Sequence, residues 1–182
     1  LIDALAKTGR QAERAAEVIR RIRGFVRRSE PSRESCEVRT IIADAVGLAE
    51  IDAGRHRIRI VVEPLIDLPN FWADPILIAQ VLLNLMKNAI EAMRSDGQRL
   101  HSPREPSLRL AVSVVGHQLE FMVADTGPGV SQELQDRLFE PFYTTKSEGM
   151  GMGLNICRTI VEFHEGRLWV EPAEPTGCVF RF

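Results

Sequence analysis

The sequence lacks several features that would assign it to a familiar class of protein. Its longest apolar runs are interrupted by charge well before the roughly 18 residues that a membrane-spanning helix needs, and no secretory signal peptide opens the chain. The net charge is only −2, so no strong field points to nucleic acid or to a membrane surface. With 45% hydrophobic and 26% charged residues, the 182 residues are typical of a soluble globular protein.

Cysteine and histidine are also sparse. The three cysteines have no Cys-x-x-Cys spacing and the four histidines are scattered, which argues against a zinc site and favours a reduced, cytoplasmic compartment. The length allows one domain plus a short appendage. Because the chain does not begin with Met and opens inside a helical pattern, we expect a fragment of a longer protein, with any sensor or membrane portion upstream.

Residues 1 to about 28 have the pattern of one long helix that packs on another helix. Its apolar residues are 7, 3, 4, 3 and 4 positions apart, the rhythm of a coiled coil or helical bundle: Leu5, Ala12, Ala15, Ile19, Ile22 and Val26. The seam is buried either against the chain's own domain or against a partner helix, and we favour a partner across a dimer. We interpret the arginines between Arg20 and Arg28 as a solvated helix face rather than a nucleic-acid contact.

Beyond a break at 29–32, helical and extended patterns alternate. Helices are predicted at 40–53, 75–93, 132–138 and 153–164, and strands at 58–62, 71–73, 108–115, 119–124, 168–170 and 178–182. Asp74 followed by Pro75 has the chemistry of a helix N-cap and first turn. We therefore predict an α/β fold, a two-layer sandwich with helices on one face of a mixed sheet, over residues 31–182, with residues 1–30 as a separate helical segment.

Two clusters suggest a metal and a base-binding site. Asn84 and Asn88 are four residues apart and share a helix face, where their amide oxygens suit Mg²⁺ beside phosphates. Alone, they also fit two ordinary polar surface positions. Asp125-Thr-Gly127-Pro-Gly129-Val130 follows a strand, and its glycines let the backbone approach a ligand closely. An Asp at this point can accept a hydrogen bond from an exocyclic amine, although an ordinary turn has the same sequence.

Two further clusters lie near the last helix. Leu138 to Lys146 combines anchoring aromatics with Thr144, Thr145 and Lys146, which fits either a site segment or an apolar plug with a solvated lysine. Gly149-Met-Gly151-Met-Gly153-Leu154 precedes a helix, where backbone amides and the helix dipole can hold a phosphate. A flexible hinge is the alternative. The spacing differs from Gly-x-Gly-x-x-Gly, and no Walker Gly-Lys-Ser/Thr occurs.

Taken together and in this order, the four clusters resemble the N, G1, F and G2 boxes of the ATP-binding domain of sensor histidine kinases. That family belongs to the group shared with gyrase, heat-shock chaperone and mismatch-repair ATPases, whose Bergerat-type fold agrees with the predicted sandwich. The resemblance covers about Val38 to Phe182. The wording of the motifs is most similar to that of the nitrogen-regulation, oxygen-sensing and dicarboxylate-sensing kinases.

The resemblance implies a site for ATP and Mg²⁺. Asn88 would ligate Mg²⁺, with Asn84 assisting at the metal and phosphates, Lys146 near the phosphates, and Asp125 on the adenine amino group. Other nucleotide contacts are expected from Lys87, Glu91, Gly127, Gly129, Val130, Phe142, Thr145, Gly149, Met150, Gly151, Met152, Gly153 and Leu154. The segment from Phe139 to Gly149 would be a lid. The family often has a Thr at the position of Val179 that supports the adenine-binding Asp, so this second contact is in question.

The same resemblance separates a kinase from an ATPase. The related ATPases carry a Glu one turn before the Mg²⁺-binding Asn, and here that position is Asn84, which cannot activate water. Transfer of the phosphoryl group to an acceptor other than water is therefore favoured. The alternatives are an ATPase or ATP-driven clamp, a degenerate kinase kept for docking, and an anti-sigma-type serine kinase.

The resemblance also implies partners. Residues 11–23 are similar to the second helix of the hairpin that dimerises these kinases, whereas the first helix, with the phosphorylated His, has no counterpart here. We expect a two-component kinase region that transfers the γ-phosphoryl of ATP to its own phosphoacceptor hairpin, for relay to a response-regulator receiver domain. The full-length protein would be a homodimer and a phosphoprotein. It would bind no nucleic acid and would reach a membrane only through upstream segments.

Overall fold

In the computed structural model, the described residues (32–94, 105–135, 137–144 and 151–182) are built on a mixed five-stranded sheet. The strands are β1 (Glu34–Cys36), β2 (Arg59–Val62), β3 (Phe71–Ala73), β4 (Ser107–Val115), β5 (Gln118–Asp125), β6 (Trp169–Pro172) and β7 (Cys178–Arg181). The main sheet has the order β2-β4-β5-β7-β6, in which β2 and β4 are parallel and the other neighbours are antiparallel. The predicted helix over residues 1 to 28 and the domain boundary near residue 30 lie outside the described residues.

Helices cover one face of this sheet. They are α1 (Val38–Arg55), α2 (Pro75–Arg94), α3 (Gln132–Gln135) and α4 (Gly153–Phe163), and a 3-10 turn follows α3 at Arg137–Phe139. Along β5, the side chains of Phe121, Val123 and Asp125 are buried, while those between them are partly exposed. This period of two shows that one face of the sheet packs on helices and the other meets solvent. The predicted two-layer α/β sandwich is confirmed.

The central element of the core is α2. Its apolar residues recur every three or four positions, so that Val81, Leu82, Leu85 and Met86 are fully buried. By length and composition alone α2 could cross a membrane, with a mean hydropathy of 1.3 over its most apolar window. Because that apolar side packs on the sheet and on the neighbouring helices, the composition is that of a core helix of this domain.

The start of α2 is capped as its sequence predicts. The Oδ1 atom of Asp74 accepts hydrogen bonds from the backbone N–H groups of Ile76 at 3.0 Å and Leu77 at 3.1 Å. These donors would otherwise lack partners in the first helical turn. The backbone N–H of Asp74 in turn donates to Nε2 of His164 at 3.0 Å. The residue that caps the start of α2 is thereby joined to the residue that directly follows α4.

The predicted helices and strands agree with the structure to within a few residues at each end, with one omission. Strand β1 is the omission, because the sequence prediction assigns no element between the break at 29–32 and the helix at 40–53. Glu34, Ser35 and Cys36 carry no alternating apolar pattern, and they are extended because they pair with β3 in antiparallel register, Glu34 opposite Ala73. Such a pairing is a tertiary constraint that a three-residue sequence does not encode.

Replacing the cap tests the role of Asp74. Asp74→Ala should lower the free energy of unfolding by about 1–2 kcal/mol, because two backbone N–H groups at a buried helix start lose their acceptor. Asp44→Ala, at an exposed position within α1, is the matched control and should change stability by less than about 0.5 kcal/mol. Urea unfolding followed by circular dichroism measures both. Equal stabilities for the two variants would contradict a capping role.

Candidate functional site

The end of β5 holds a buried carboxylate with a defined orientation. Asp125 is 6% exposed, and its Oδ1 atom accepts hydrogen bonds from the backbone N–H of Gly127 at 2.8 Å and of Cys178 at 3.3 Å. Two donors on one oxygen fix the carboxylate plane. The other oxygen, Oδ2, is therefore the one that can accept a hydrogen bond from a ligand.

Burial also affects the protonation of this group. The pKa of Asp125 is raised above its ordinary value, chiefly because burial removes water from the carboxylate, while the N–H groups of Gly127 and Cys178 act in the opposite direction. A charged acceptor with little water around it gains more from a ligand N–H donor than an exposed one does. Perturbed acids of this kind occur often at functional sites.

Three glycines bring the chain against Asp125. A Cβ atom at Gly127 would lie 2.8 Å from Oδ1 of Asp125, and one at Gly129, whose φ is +79°, would lie 3.1 Å from the carbonyl oxygen of Gly177. The tightest position is Gly177, with a φ of +117° and a Cβ that would overlap the Asp125 carbonyl oxygen. Gly177 was not predicted, because its contact arises only when β7 pairs with β5.

The residue of β7 that faces Asp125 is Cys178. Strand alternation buries Cys178 and Phe180 on the helix side of the sheet, whereas Val179 lies opposite Ala124 on the partly exposed face. The expectation that Val179 stands at the supporting position is therefore wrong by one residue. Burial and the neighbouring Asp125 charge raise the pKa of the Cys178 thiol to about 12, so a neutral S–H group lies beside the carboxylate at neutral pH.

The polar face of α2 lies near the same loop. Asn84, Asn88 and Glu91 are all half-buried, and Lys87 is exposed. Spacings of four and three residues place the first three side chains along one face of the helix. The Asn84 side chain hydrogen-bonds to Cys157 on α4, whose pKa burial nonetheless raises to about 12. Asn84 therefore contributes to the contact between α2 and α4.

Contacts at the end of α2 connect this face to the Asp125 loop. The Oγ1 atom of Thr126 lies 3.6 Å from the sulfur of Met93 and accepts a hydrogen bond at 3.0 Å from the backbone N–H of Ser107. A Cβ atom at Gly127 would lie 3.5 Å from the Met93 side chain. The loop that follows the carboxylate at the end of β5 thus packs against the last turn of α2.

The segment before α4 is held at one end by that helix. The carbonyl oxygen of Phe139 accepts a hydrogen bond from Nδ2 of Asn155 at 3.2 Å, and the guanidinium carbon of Arg158 lies 4.3 Å from the centre of the Phe139 ring. Phe139 is buried, whereas Phe142 is 74% exposed and has a φ of +66°. Sequence reasoning singled out Phe142 but did not identify Asn155 or Arg158.

Close packing of the chain explains why a glycine occupies position 151 of the Gly-Met-Gly-Met-Gly run. Gly151 has a φ of +66°, and a Cβ atom there would lie 2.4 Å from the carbonyl carbon of Phe142. A Cβ at Gly153, the first residue of α4, would meet open space. Met152 precedes that helix, and Leu154 and Val130 pack on the core. The predicted contacts Thr145, Lys146, Gly149 and Met150 lie outside the described residues.

A buried acceptor, close-packed glycines and a polar helix face in this sandwich define a class of nucleotide-binding ATPase domains. Residues 73–182 match the family described as histidine kinase-, DNA gyrase B-, and HSP90-like ATPase, and the chain belongs to this family. Its fold agrees with the catalytic domain of the histidine kinase ThkA, at 30% identity and a TM-score of 0.71, over 82% of this chain and 93% of that one.

Other relatives are longer sensor proteins. The chain is 41% identical over 182 residues to the C4-dicarboxylate transport sensor protein DctS of Rhodobacter capsulatus, and 38% identical over 181 residues to the sensor protein FixL of Bradyrhizobium diazoefficiens. It spans 27% and 34% of their respective lengths. Full-length ShkA, solved in complex with AMPPNP, matches with 26% identity and a TM-score of 0.72, over 85% of this chain and 31% of that one.

The close packing at Gly177 leads to a prediction with an internal control. Gly177→Ala should lower the free energy of unfolding by about 1–3 kcal/mol or more, because the new methyl group overlaps the Asp125 backbone at a strained φ. Gly47→Ala, inside α1 with open space around the added carbon, should raise it by about 0.5–1 kcal/mol. Urea unfolding measures both, and a neutral Gly177→Ala would contradict the packing.

The raised pKa of Asp125 predicts how stability depends on pH. The unfolded chain loses this proton near the ordinary value of 3.8, before the folded chain does. The contribution of Asp125 to the free energy of unfolding is thus complete below that pH, and it falls as the pH rises through the pKa of the folded chain. Asp125→Asn lacks this proton and keeps an oxygen for both N–H donors. Urea unfolding between about pH 4 and 8 should therefore show the variant gaining stability relative to the parent and to Asp44→Asn, and a loss would contradict the assignment.

Proposed function

We propose that this domain binds ATP with Mg²⁺ and transfers the γ-phosphoryl group to a histidine on a phosphoacceptor hairpin. The observation that carries the proposal is the buried Asp125, whose Oδ1 atom is held by two backbone N–H groups. These two donors hold the carboxylate in one orientation, and its Oδ2 atom is left to accept a hydrogen bond from a neutral amine. Adenine carries such an exocyclic amine. Guanine carries its amine at a different position of the ring, and uracil carries none.

The adenine would lie against the glycine-lined chain beside Asp125. Gly127 and Gly129 let the backbone pass close to a flat ring, and Val130 packs beside them on the core. Cys178, neutral at physiological pH, adds a small thiol in place of a hydroxyl group. Because the carboxylate is buried from water, its hydrogen bond to the amine would strongly favour adenine over a base that lacks this amine.

The polar face of α2 has the donor chemistry that Mg²⁺ requires. Asn88 would be its protein ligand through the amide oxygen, with Glu91 one turn further along the same face. Mg²⁺ bound here would neutralise charge on the transferring phosphate. Asn84, through its contact with Cys157, would hold α2 against α4 and assist at the phosphates, while the exposed Lys87 would supply positive charge at the edge.

The phosphates would lie at the start of α4. The backbone N–H groups that open a helix are oriented towards an anion, and the helix dipole favours negative charge there. Gly151, Met152, Gly153 and Leu154 form this start. Lys146, Thr145, Gly149, Met150 and Phe142 would complete the site as parts of a lid over the nucleotide, with Asn155 and Arg158 positioning its Phe139 end.

Transfer to a protein, rather than to water, fits the absence of an acid at position 84. An amide side chain has no proton-accepting ability at neutral pH, so Asn84 cannot act as a general base for water. ThkA has been solved in complex with the response regulator protein TrrA, and by analogy we propose a receiver domain as the final acceptor here. In the full-length protein the domain would act in a cytoplasmic homodimer.

Nucleotide binding is the first test of this proposal. Calorimetric titration with AMPPNP and Mg²⁺ should show binding that Asp125→Asn weakens by about 1–3 kcal/mol, because its amide presents a donor where the amine needs an acceptor. Asp44→Asn makes the same chemical change at an exposed position and should bind like the parent. A folded parent chain that binds no nucleotide would contradict the proposal.

The acceptor is tested separately. The chain, supplied with the acceptor hairpin of a sensor kinase and radiolabelled ATP, should label a histidine on that hairpin. Asn88→Ala should abolish labelling, because the proposed Mg²⁺ ligand is lost, while Asn70→Ala, at an exposed loop position, should label normally. Steady release of free phosphate without the hairpin, at the rate of hairpin labelling or faster, would instead support an ATPase.

A further inference from the structure

A second concave site lies at the other end of β5 from Asp125. It is a cavity of about 530 Å³ between β3, the β4–β5 hairpin, the end of α4 and the start of β6. Small-molecule sites are commonly about 300–1,000 Å³. From Leu119, which lines this cavity, to Asp125 the strand extends about 20 Å at roughly 3.3 Å per residue. The cavity is therefore distinct from the proposed nucleotide site.

The inner wall of this cavity contains two buried phenylalanine rings, Phe121 at 3% and Phe182 at 9% exposed. The rings of Phe121 and Phe182 stack with centroids 4.9 Å apart and planes only 7° from parallel, and Phe71 packs on Phe121 at 5.7 Å. Trp72, at the same cavity, is 67% exposed. A rigid aromatic wall beside an exposed indole suits a flat apolar group, because little side-chain freedom is lost on binding.

The acidic groups along the cavity already have partners. Glu120 accepts from the Arg181 guanidinium at 2.6 Å, and Glu165 pairs with Arg33 at 3.1 Å. Both carboxylates are thus paired with arginines, and Arg181 also pairs at 3.0 Å with Glu171, which does not line the cavity. Neither carboxylate that lines the cavity is left without a cationic partner.

The remaining charged group is Arg167. His164 is satisfied within the fold, since its Nε2 accepts from the Asp74 N–H and its Nδ1 lies 2.8 Å from the Ile160 carbonyl oxygen, to which it must donate. Arg167 lines the cavity and, among the residues that the structure describes, makes no ion pair or hydrogen bond. The charge available to a ligand is therefore a single guanidinium, with the exposed His117 and Gln118 beside it.

We propose that this cavity binds a small planar aromatic carboxylate. The ring would lie on the wall formed by Phe121 and Phe182, with Trp72 over it, and the carboxylate would be held by Arg167, whose paired N–H groups match two carboxylate oxygens. This proposal stands on the cavity alone and does not depend on the chemistry at Asp125.

The two tryptophans of the chain report directly on ligand binding in this cavity, because both line it. Titration of ¹⁵N-labelled protein with 2-naphthoate should shift the indole N–H resonances of Trp72 and Trp169. The cation 2-naphthylmethylammonium has the same rings and the opposite charge, and should bind at least about tenfold more weakly. Unchanged indole resonances, or equal binding of the two probes, would overturn the proposal.

Charge recognition is tested with a pair of matched variants. Arg167→Gln should weaken 2-naphthoate binding by about tenfold, because the charged fork is lost, and Arg59→Gln, at an exposed position of β2, should leave it unchanged. The dispersion of the amide spectrum reports whether each variant is folded. Equal binding by the two variants would overturn the role of Arg167. Titration of the same samples with AMPPNP distinguishes the proposals, since nucleotide binding without naphthoate binding overturns only this one.

Discussion

The hydrogen bonds from two backbone N–H groups to one oxygen of Asp125 are the constraint on which the rest of the site depends. They exist only because β7 pairs with β5 and brings Cys178 to 3.3 Å from the carboxylate, while the turn after β5 brings Gly127 to 2.8 Å. The same closeness requires glycine at positions 127 and 177. A buried acid that is costly to ionise is thereby kept in one orientation, with its second oxygen available for recognition.

Helices α2 and α4 join the two ends of the domain. Helix α2 begins at the Asp74 cap and ends beside Thr126. Helix α4 begins at the glycine run and is followed directly by His164, which accepts a hydrogen bond from Asp74. Each helix therefore has one end near Asp125 or the glycine run and the other near the aromatic cavity. The buried contact between Asn84 and Cys157 holds the helices together midway, so packing changes at either end act on the same pair of helices.

Much of this arrangement was predictable from sequence because its signals are local. The 3.6-residue pattern of α2, the Asp74-Pro75 start and the glycines after β5 each encode their own structure. Strand β1, Gly177 and the orientation of Cys178 were not predictable in this way, since each depends on pairing with a strand distant in the sequence. The placement of Val179 failed for the same reason, because a shift of one residue reverses the face of a strand.

The same distinction between local signals and distant contacts applies to the site residues. Asp125 and the asparagines of α2 stand out as residue types at a given spacing, whereas Asn155 and Arg158 act through contacts with Phe139 that only the packed structure reveals. The cavity at the opposite end has no sequence signature at all, because its aromatic residues come from separate elements. Motifs therefore identify the chemistry of a site more readily than the residues that position it.

The most direct test of the account is the affinity of the domain for a nucleotide in which a carbonyl group replaces the exocyclic amine of ATP. Competition calorimetry comparing ATP with inosine triphosphate, both with Mg²⁺, measures what the free oxygen of Asp125 recognises. We predict that ATP binds more tightly by about 1–3 kcal/mol, since the inosine carbonyl would oppose a buried carboxylate that needs a donor. Equal affinities for the two nucleotides would contradict the assignment of Asp125 as the adenine-reading residue.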